Sequence, residues 1–179
     1  MPTHAAFLRG VNLGAHRKVS SAELRTVFEG AGLADVATFR TSGNVAFGAG
    51  REPETKLKGR IEAALAEALG WEVTVFVRTA GEVQAIAGTE PFTAKDVEAT
   101  EGRLQVIMLA GKPAAAARKQ MLATATESDR LALEGRELYW LPAAGTQNAE
   151  WEVKTADRLF GPTTMRTMGT VELLARKFF

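Results

Sequence analysis

The chain has no cysteine, two histidines (His4 and His16) and one tyrosine. It carries almost no net charge, with 22 lysines and arginines against 21 aspartates and glutamates in 179 residues. Without cysteine there are no disulfides, thiolate nucleophiles or Cys-ligated zinc. The two histidines do not form a helical His-Glu pattern, so no metal site is expected, and no motif calls for a cofactor. A formal charge of +1 argues against a surface built throughout for nucleic acid, while permitting a local basic patch. No apolar run approaches the roughly 18 residues that span a bilayer. The first residues, Met-Pro-Thr-His, enter a strand-like run without a charged leader. A soluble cytoplasmic protein with no membrane segment is the expectation.

What is present is ordinary for a globular protein: 46% hydrophobic and 24% charged residues, enough for one large or two small domains with a real core. Ala5 to Arg9 reads as a short apolar strand. Ser20 and Glu23 form a capping box, and Leu24, Val27, Phe28 and Ala31 follow at helical spacing on one face, closed by Gly32. Val36 to Arg40 and Asn44 to Phe47 read as strands joined by Thr41-Ser42-Gly43. Pro53 opens a helix striped with Leu57, Ile61, Ala64, Leu65 and Ala68 and closed by Gly70. Val73, Val75 and Val77 then alternate along a strand. Strand, helix, strand, strand, helix, strand is the split βαββαβ order of a ferredoxin-like unit.

A second capping box, Thr79 with Glu82, opens a short helix to Gly88, and Glu90 to Gly102 reads as a polar surface loop. The order then starts again. Leu104 to Leu109 is a strand, and Pro113 opens an alanine-rich helix ending near Ala125. Leu131 to Glu134 and Glu137 to Leu141 flank the two-residue turn Gly135-Arg136. A helix through Val153, Ala156 and Phe160 stops at Gly161-Pro162, and Thr163 to Arg166 is a short closing strand. A last helix carries Val171, Leu174, Ala175 and Phe178. The expected fold is α+β, two ferredoxin-like (βαββαβ) halves in tandem with an extra C-terminal helix. Its divisions are 1–79, a connecting helix and polar loop over 80–102, and 103–179. The repetition is of element order, with no residue-level repeat read between the halves.

Several stretches carry a resemblance. Leu8-Arg9-Gly10-Val11-Asn12-Leu13-Gly14, a basic segment, Ala22-Glu23-Leu24-Arg25 and Ser42-Gly43-Asn44-Val45-Ala46-Phe47 are similar to segments of a bacterial family, the domain of unknown function numbered 1697. The similarity extends to Val77-Arg78, Pro91-Phe92, Gly135-Arg136-Glu137 and Arg166 through Thr170-Val171. It implies tandem ferredoxin-like halves and no particular activity. The chain departs from the family pattern at Ala15, at Thr41 where glutamine is more usual, and at Thr167-Met168-Gly169, which replaces an Asn-Trp-Asn-like segment.

The candidate site is the loop from residue 9 to residue 20. In a ferredoxin-like sheet the first and third strands are antiparallel neighbours, which brings the end of the first strand beside Ser42-Gly43-Asn44. Arg9, Asn12, His16, Arg17, Lys18, Arg40, Ser42 and Asn44 are then expected on one rim. A helix start there favours an anion, and glycines allow backbone to approach a ligand closely. The spacing of Gly10 and Gly14 fits neither the Walker pattern nor the dinucleotide fingerprint. The expected ligand is therefore a generic small anion, phosphate- or nucleotide-like. The competing reading is an ordinary loop with solvated basic residues.

Two further functions stay open: a transferase or hydrolase acting on such a ligand, and a protein-interaction module or homo-oligomer without catalysis. No residue is assigned a catalytic role. His16 has no evident partner, and Ser42 lacks the nucleophile-elbow pattern. Sheet-face RNA recognition is disfavoured because Asn44 to Gly48 lacks the basic-glycine-aromatic motif.

Overall fold

A computed structural model describes residues 1–12, 17–100 and 103–179. The elements are β1 (His4–Leu8), α1 (Ser21–Gly30), β2 (Ala34–Phe39), β3 (Asn44–Gly48), α2 (Glu54–Leu69), β4 (Val75–Thr79), α3 (Ala80–Ala87), α4 (Ala94–Ala99), β5 (Gln105–Met108), α5 (Ala115–Leu122), β6 (Asp129–Glu134), β7 (Glu137–Pro142), α6 (Lys154–Phe160), β8 (Thr164–Thr167) and α7 (Met168–Phe178). They make two four-stranded antiparallel sheets, ordered β2-β3-β1-β4 and β6-β7-β5-β8. Each sheet has the split βαββαβ connectivity, so the tandem ferredoxin-like fold with a C-terminal helix is what the chain adopts. By its internal contacts the chain forms two units, one of Met1–Ala85 with Leu173–Phe179 and the other of Ile86–Glu172.

In the first unit, local chemistry sets the helix ends. Ser20 Oγ accepts from the Glu23 amide at 3.1 Å and Glu23 returns a carboxylate to the Ser20 amide at 2.8 Å, a complete capping box. These hydrogen bonds hold the Glu23 carboxyl below the usual glutamate pKa. Gly32, just past α1, and Gly70, the C-cap of α2, sit at φ +77° and +78°. Leu24 and Phe28 of α1 and Leu57, Ile61 and Leu65 of α2 pack on Ala6, Leu8, Val45, Phe47, Val75 and Val77 of the sheet. Phe28 meets Phe47 edge-on at 5.6 Å between ring centroids. The alternate strand residues Ala5, Phe7, Ala46, Phe76 and Arg78 are also buried. Both faces of the sheet are therefore covered, and Phe7 lies on the face away from α1 and α2 while Phe47 points toward them.

In the second unit, Ile107, Leu109, Leu133, Leu138 and Trp140 pack with Met121, Trp151 and Ala156. The two tryptophan rings lie 5.0 Å apart in this core. Trp140 Nε1 donates to buried Asp129 at 2.8 Å, and the amides of Glu150 and Trp151 donate to its other oxygen at 3.1 and 3.2 Å. The stretch expected to be a loop contains a helix: Thr93 caps α4, accepting from the Asp96 amide at 3.2 Å. Asp96 also takes an ion pair from Arg130 of β6 at 2.7 Å.

The two halves do share residues, which the register exposes. Ala5 pairs with Arg78 in β1–β4, and Val106 pairs with Arg166 in β5–β8. Aligned on those pairs, Arg78-Thr79-Ala80-Gly81-Glu82-Val83 matches Arg166-Thr167-Met168-Gly169-Thr170-Val171, and Leu8 and Gly10 match Leu109 and Gly111. The backbone repeats as well. Ala80 donates to Thr3 O at 2.8 Å where Met168 donates to Leu104 O at 2.9 Å. Leu8 donates to Gly43 O at 2.8 Å where Leu109 donates to Arg136 O at 2.9 Å. Connections between equivalent strands are shorter in the second half, so no single offset aligns both sequences, and the repeat is hidden from a reading by period.

Candidate functional site

The rim at the C-terminal end of β1 is built by hydrogen bonds. Phe7 pairs with Asn44, and Phe39 at the end of β2 pairs with the same asparagine. The hairpin turn over residues 40–43 therefore sits beside the exit of β1, as the topology required. Arg9 leaves the strand half-buried, its amide donating to Thr74 O at 2.9 Å. Gly10 follows at φ +76°, and a Cβ there would lie 3.9 Å from an Arg17 guanidinium nitrogen.

Asn12 is the clip. Its side-chain oxygen accepts from the Val19 amide at 2.8 Å, and its Nδ2 donates to Val19 O at 3.1 Å and to Thr41 O at 2.6 Å. Its own amide donates to Arg17 O at 3.0 Å. One side chain thus ties both ends of the loop to each other and to the β2–β3 turn. Val11 and Val19, buried at 4% and 5% exposure, anchor the loop ends in the core.

Arg17, Lys18, Arg40 and Ser42 are exposed. Arg17 and Lys18 engage no acidic side chain among the described residues. The Arg40 guanidinium lies 5.5 Å from the Phe39 ring centroid. Lys177 Nζ of α7 lies 5.7 Å from the same ring, and Phe178 meets Phe39 edge-on at 6.0 Å. Lys177 was not expected here. It is distant in sequence and sits on a helix whose last turn simply looks basic. Ser42 Oγ accepts from Asn44 Nδ2 at 2.9 Å, and that nitrogen also donates to Phe39 O at 3.0 Å. Asn44 is fully buried, so its amide organises the turn rather than facing solvent. His16, also expected on this rim, lies outside the described residues.

The backbone here is strained. Four non-glycine residues among those described have left-handed φ, and three belong to this rim: Asn12 at +56°, Arg17 at +56° and Arg40 at +58°. Asparagine tolerates that region, whereas arginine does so at a cost. Arg9, Arg17, Lys18 and Arg40 are thus carried on a hydrogen-bonded loop and turn that lead to the capped start of α1, and Lys177 lies over Phe39 at the end of β2. Among the described residues no group of three His, Asp or Glu side chains is placed to hold a metal ion, and no helix is long and apolar enough to cross a membrane.

Residues 1–139 match the model of a family described as a protein of unknown function, DUF1697. The chain belongs to that family. The sequence matches no curated protein. Among solved structures, the chain is similar to the conserved bacterial protein SP0830 from Streptococcus pneumoniae. The two share 15% identity and a TM-score of 0.72, over 99% of each chain. At that identity the likeness shows the fold.

Proposed function

We propose that this member of the family binds a small anion, phosphate- or nucleotide-like, on the rim made by the loop after β1 and the β2–β3 turn. The observation that carries the reading is the strain. Asn12, Arg17 and Arg40 hold left-handed backbone within one hydrogen-bonded frame, and conformations of this kind cluster where a chain binds or switches. Arg17 and Arg40 present guanidinium groups suited to bidentate contact with phosphate or carboxylate. Arg9, Lys18 and Lys177 add charge around them. Asn12, Ser42 and Asn44 act in this reading as positioning residues through their hydrogen bonds to the turn. Glu23, the first acidic residue after the loop, is held in the capping box.

Melting temperature measured across inorganic phosphate, pyrophosphate and nucleotides tests this. An anion at about 100 times its dissociation constant adds roughly 2.7 kcal/mol of stability. Arg17→Gly is the informative variant, because glycine relieves the left-handed strain while deleting the guanidinium. It is expected to be at least as stable as the parent without ligand and to lose most of the anion response. A flat screen, or an equal response in Arg17→Gly and Lys18→Ala, overturns the proposal.

A further inference from the structure

A cavity of about 410 Å³ lies wholly within the Ile86–Glu172 unit. That is within the range of small-molecule pockets, about 300–1,000 Å³. Its walls are apolar: Pro91 and Phe92 before α4, Val97 on it, Leu104 before β5 and Met168 at the start of α7. Its polar lining is almost entirely acidic. Glu90, Glu98 and Glu172 border it, and among the described residues no lysine or arginine does. None of the three carboxylates makes an ion pair among the described residues.

One residue of the wall, Phe92, is itself packed against a paired cation. Arg130 lies over the Phe92 ring, 5.3 Å from its centroid, and its charge is spent on Asp96 at 2.7 Å. Asp96 is in turn fixed by the Thr93 hydroxyl at 2.6 Å. The cation that stacks on Phe92 is therefore already paired with a carboxylate. Gly169 lines the cavity in the first turn of α7, and a Cβ built there meets no heavy atom within 4 Å. The absence of a side chain at this position keeps that side of the cavity open.

We infer that this cavity binds a small organic ammonium ion with an apolar body, an arylalkyl- or alkylamine. The body would lie on Phe92, Val97, Leu104 and Met168, with the ammonium group toward the carboxylates of Glu90, Glu98 and Glu172. An open cavity with apolar walls, bordered by three carboxylates without an ion pair among the described residues, favours such an ion over a neutral molecule of the same shape and repels the matching carboxylate. The site shares no residue with the anion rim.

Titration calorimetry on the full chain tests this with three probes of similar shape: phenethylammonium, 2-phenylethanol and phenylacetate. Phenethylammonium is expected to bind saturably, the alcohol more weakly, and phenylacetate not at all. Glu172→Gln should weaken the ammonium ion roughly fivefold, the scale of one partly exposed charge contact. Gly169→Trp should abolish binding by filling the space, with its circular dichroism spectrum unchanged, and Lys18→Ala should leave binding as in the parent. Absence of saturable binding to the parent overturns the proposal. So does equal affinity for the alcohol and the ammonium ion, or a Glu172→Gln protein that binds like the parent.

Discussion

Asn12 Nδ2 donates to the carbonyl of Thr41 at 2.6 Å, joining the loop after the first strand to the turn between the second and third. The contact spans 29 positions of sequence, and both sides of the candidate rim depend on it. The same amide group closes the loop on itself through Val19. Asn12→Ala removes all three side-chain hydrogen bonds while keeping the left-handed strain. A loss of about 2 kcal/mol is expected in urea unfolding, given roughly 0.5–1.5 kcal/mol for each partly buried bond. Asn12→Asp keeps the acceptor for the Val19 amide but turns a carboxylate oxygen on the Thr41 and Val19 carbonyls, and should lose at least as much.

Gly43 fixes the other side. It sits at φ +73°, and a Cβ there would fall 2.4 Å from Val11 Cγ2 and 3.0 Å from Leu8 Cβ. Gly43→Ala must shift either the turn or the buried Val11 that anchors the loop. We expect destabilisation of roughly 2–4 kcal/mol, combining left-handed strain with overpacking, read as a lower urea midpoint. Gly50→Ala is the control, since its Cβ meets open space.

In the second unit Asp129 is fully buried and accepts from Trp140 Nε1 and from the amides of Glu150 and Trp151. Asp129→Ala leaves two buried donors, Trp140 Nε1 and the Trp151 amide, and the part-buried Glu150 amide without this partner. A loss of about 3 kcal/mol or more is expected, because an unsatisfied buried donor costs about 1–3 kcal/mol. The emission of Trp140 and Trp151 should shift as their environment loosens.

His4 sets a pH dependence. The ring is half-buried and stacks on Phe47 at 5.7 Å. Burial holds its pKa below the ordinary 6.5, although Glu82, Glu54 and Glu52 pull upward. Above pH 6.5 the ring is neutral in the folded and unfolded chains alike and contributes no slope. As pH falls below 6.5 the unfolded chain takes up the proton first, so stability drops until the folded ring protonates. Urea midpoints should therefore decline on acidification from about pH 7, and His4→Asn should remove that step. The carboxyls of Glu23 and Asp96, held below 4.5 and 3.8 by their capping hydrogen bonds, lose their contributions only in stronger acid.

Much of this architecture is legible in the sequence because local signals agree with the fold. The Ser20–Glu23 and Thr79–Glu82 boxes, the glycine after each of the first two helices and the Gly135-Arg136 turn all appear where the residues put them. Helix α4 has a signal too, Thr93 three residues before Asp96, but it is only one and a half turns long and half its residues are charged. Composition there reads as loop.

The rim was legible through topology, since strand order alone puts Asn44 beside Phe7. What the sequence could not give was conformation. Nothing in the letters of Arg17 or Arg40 marks a left-handed backbone, and nothing ties Lys177 to Phe39. Asn44 shows the same limit. An asparagine in a glycine turn looks available to a ligand, whereas burial and two hydrogen bonds turn its amide inward. The matching Arg78 and Arg166 stretches emerge only when strand register, rather than a fixed period, sets the alignment.

The central claim concerns the rim, and backbone amide spectra recorded during titration with inorganic phosphate test it most directly. The account predicts saturable shifts at Gly10, Asn12, Arg17, Lys18, Ser42 and Gly43, abolished in Arg17→Gly although that protein stays folded. Spectra that do not change at these amides, or that change equally in the variant, would contradict it.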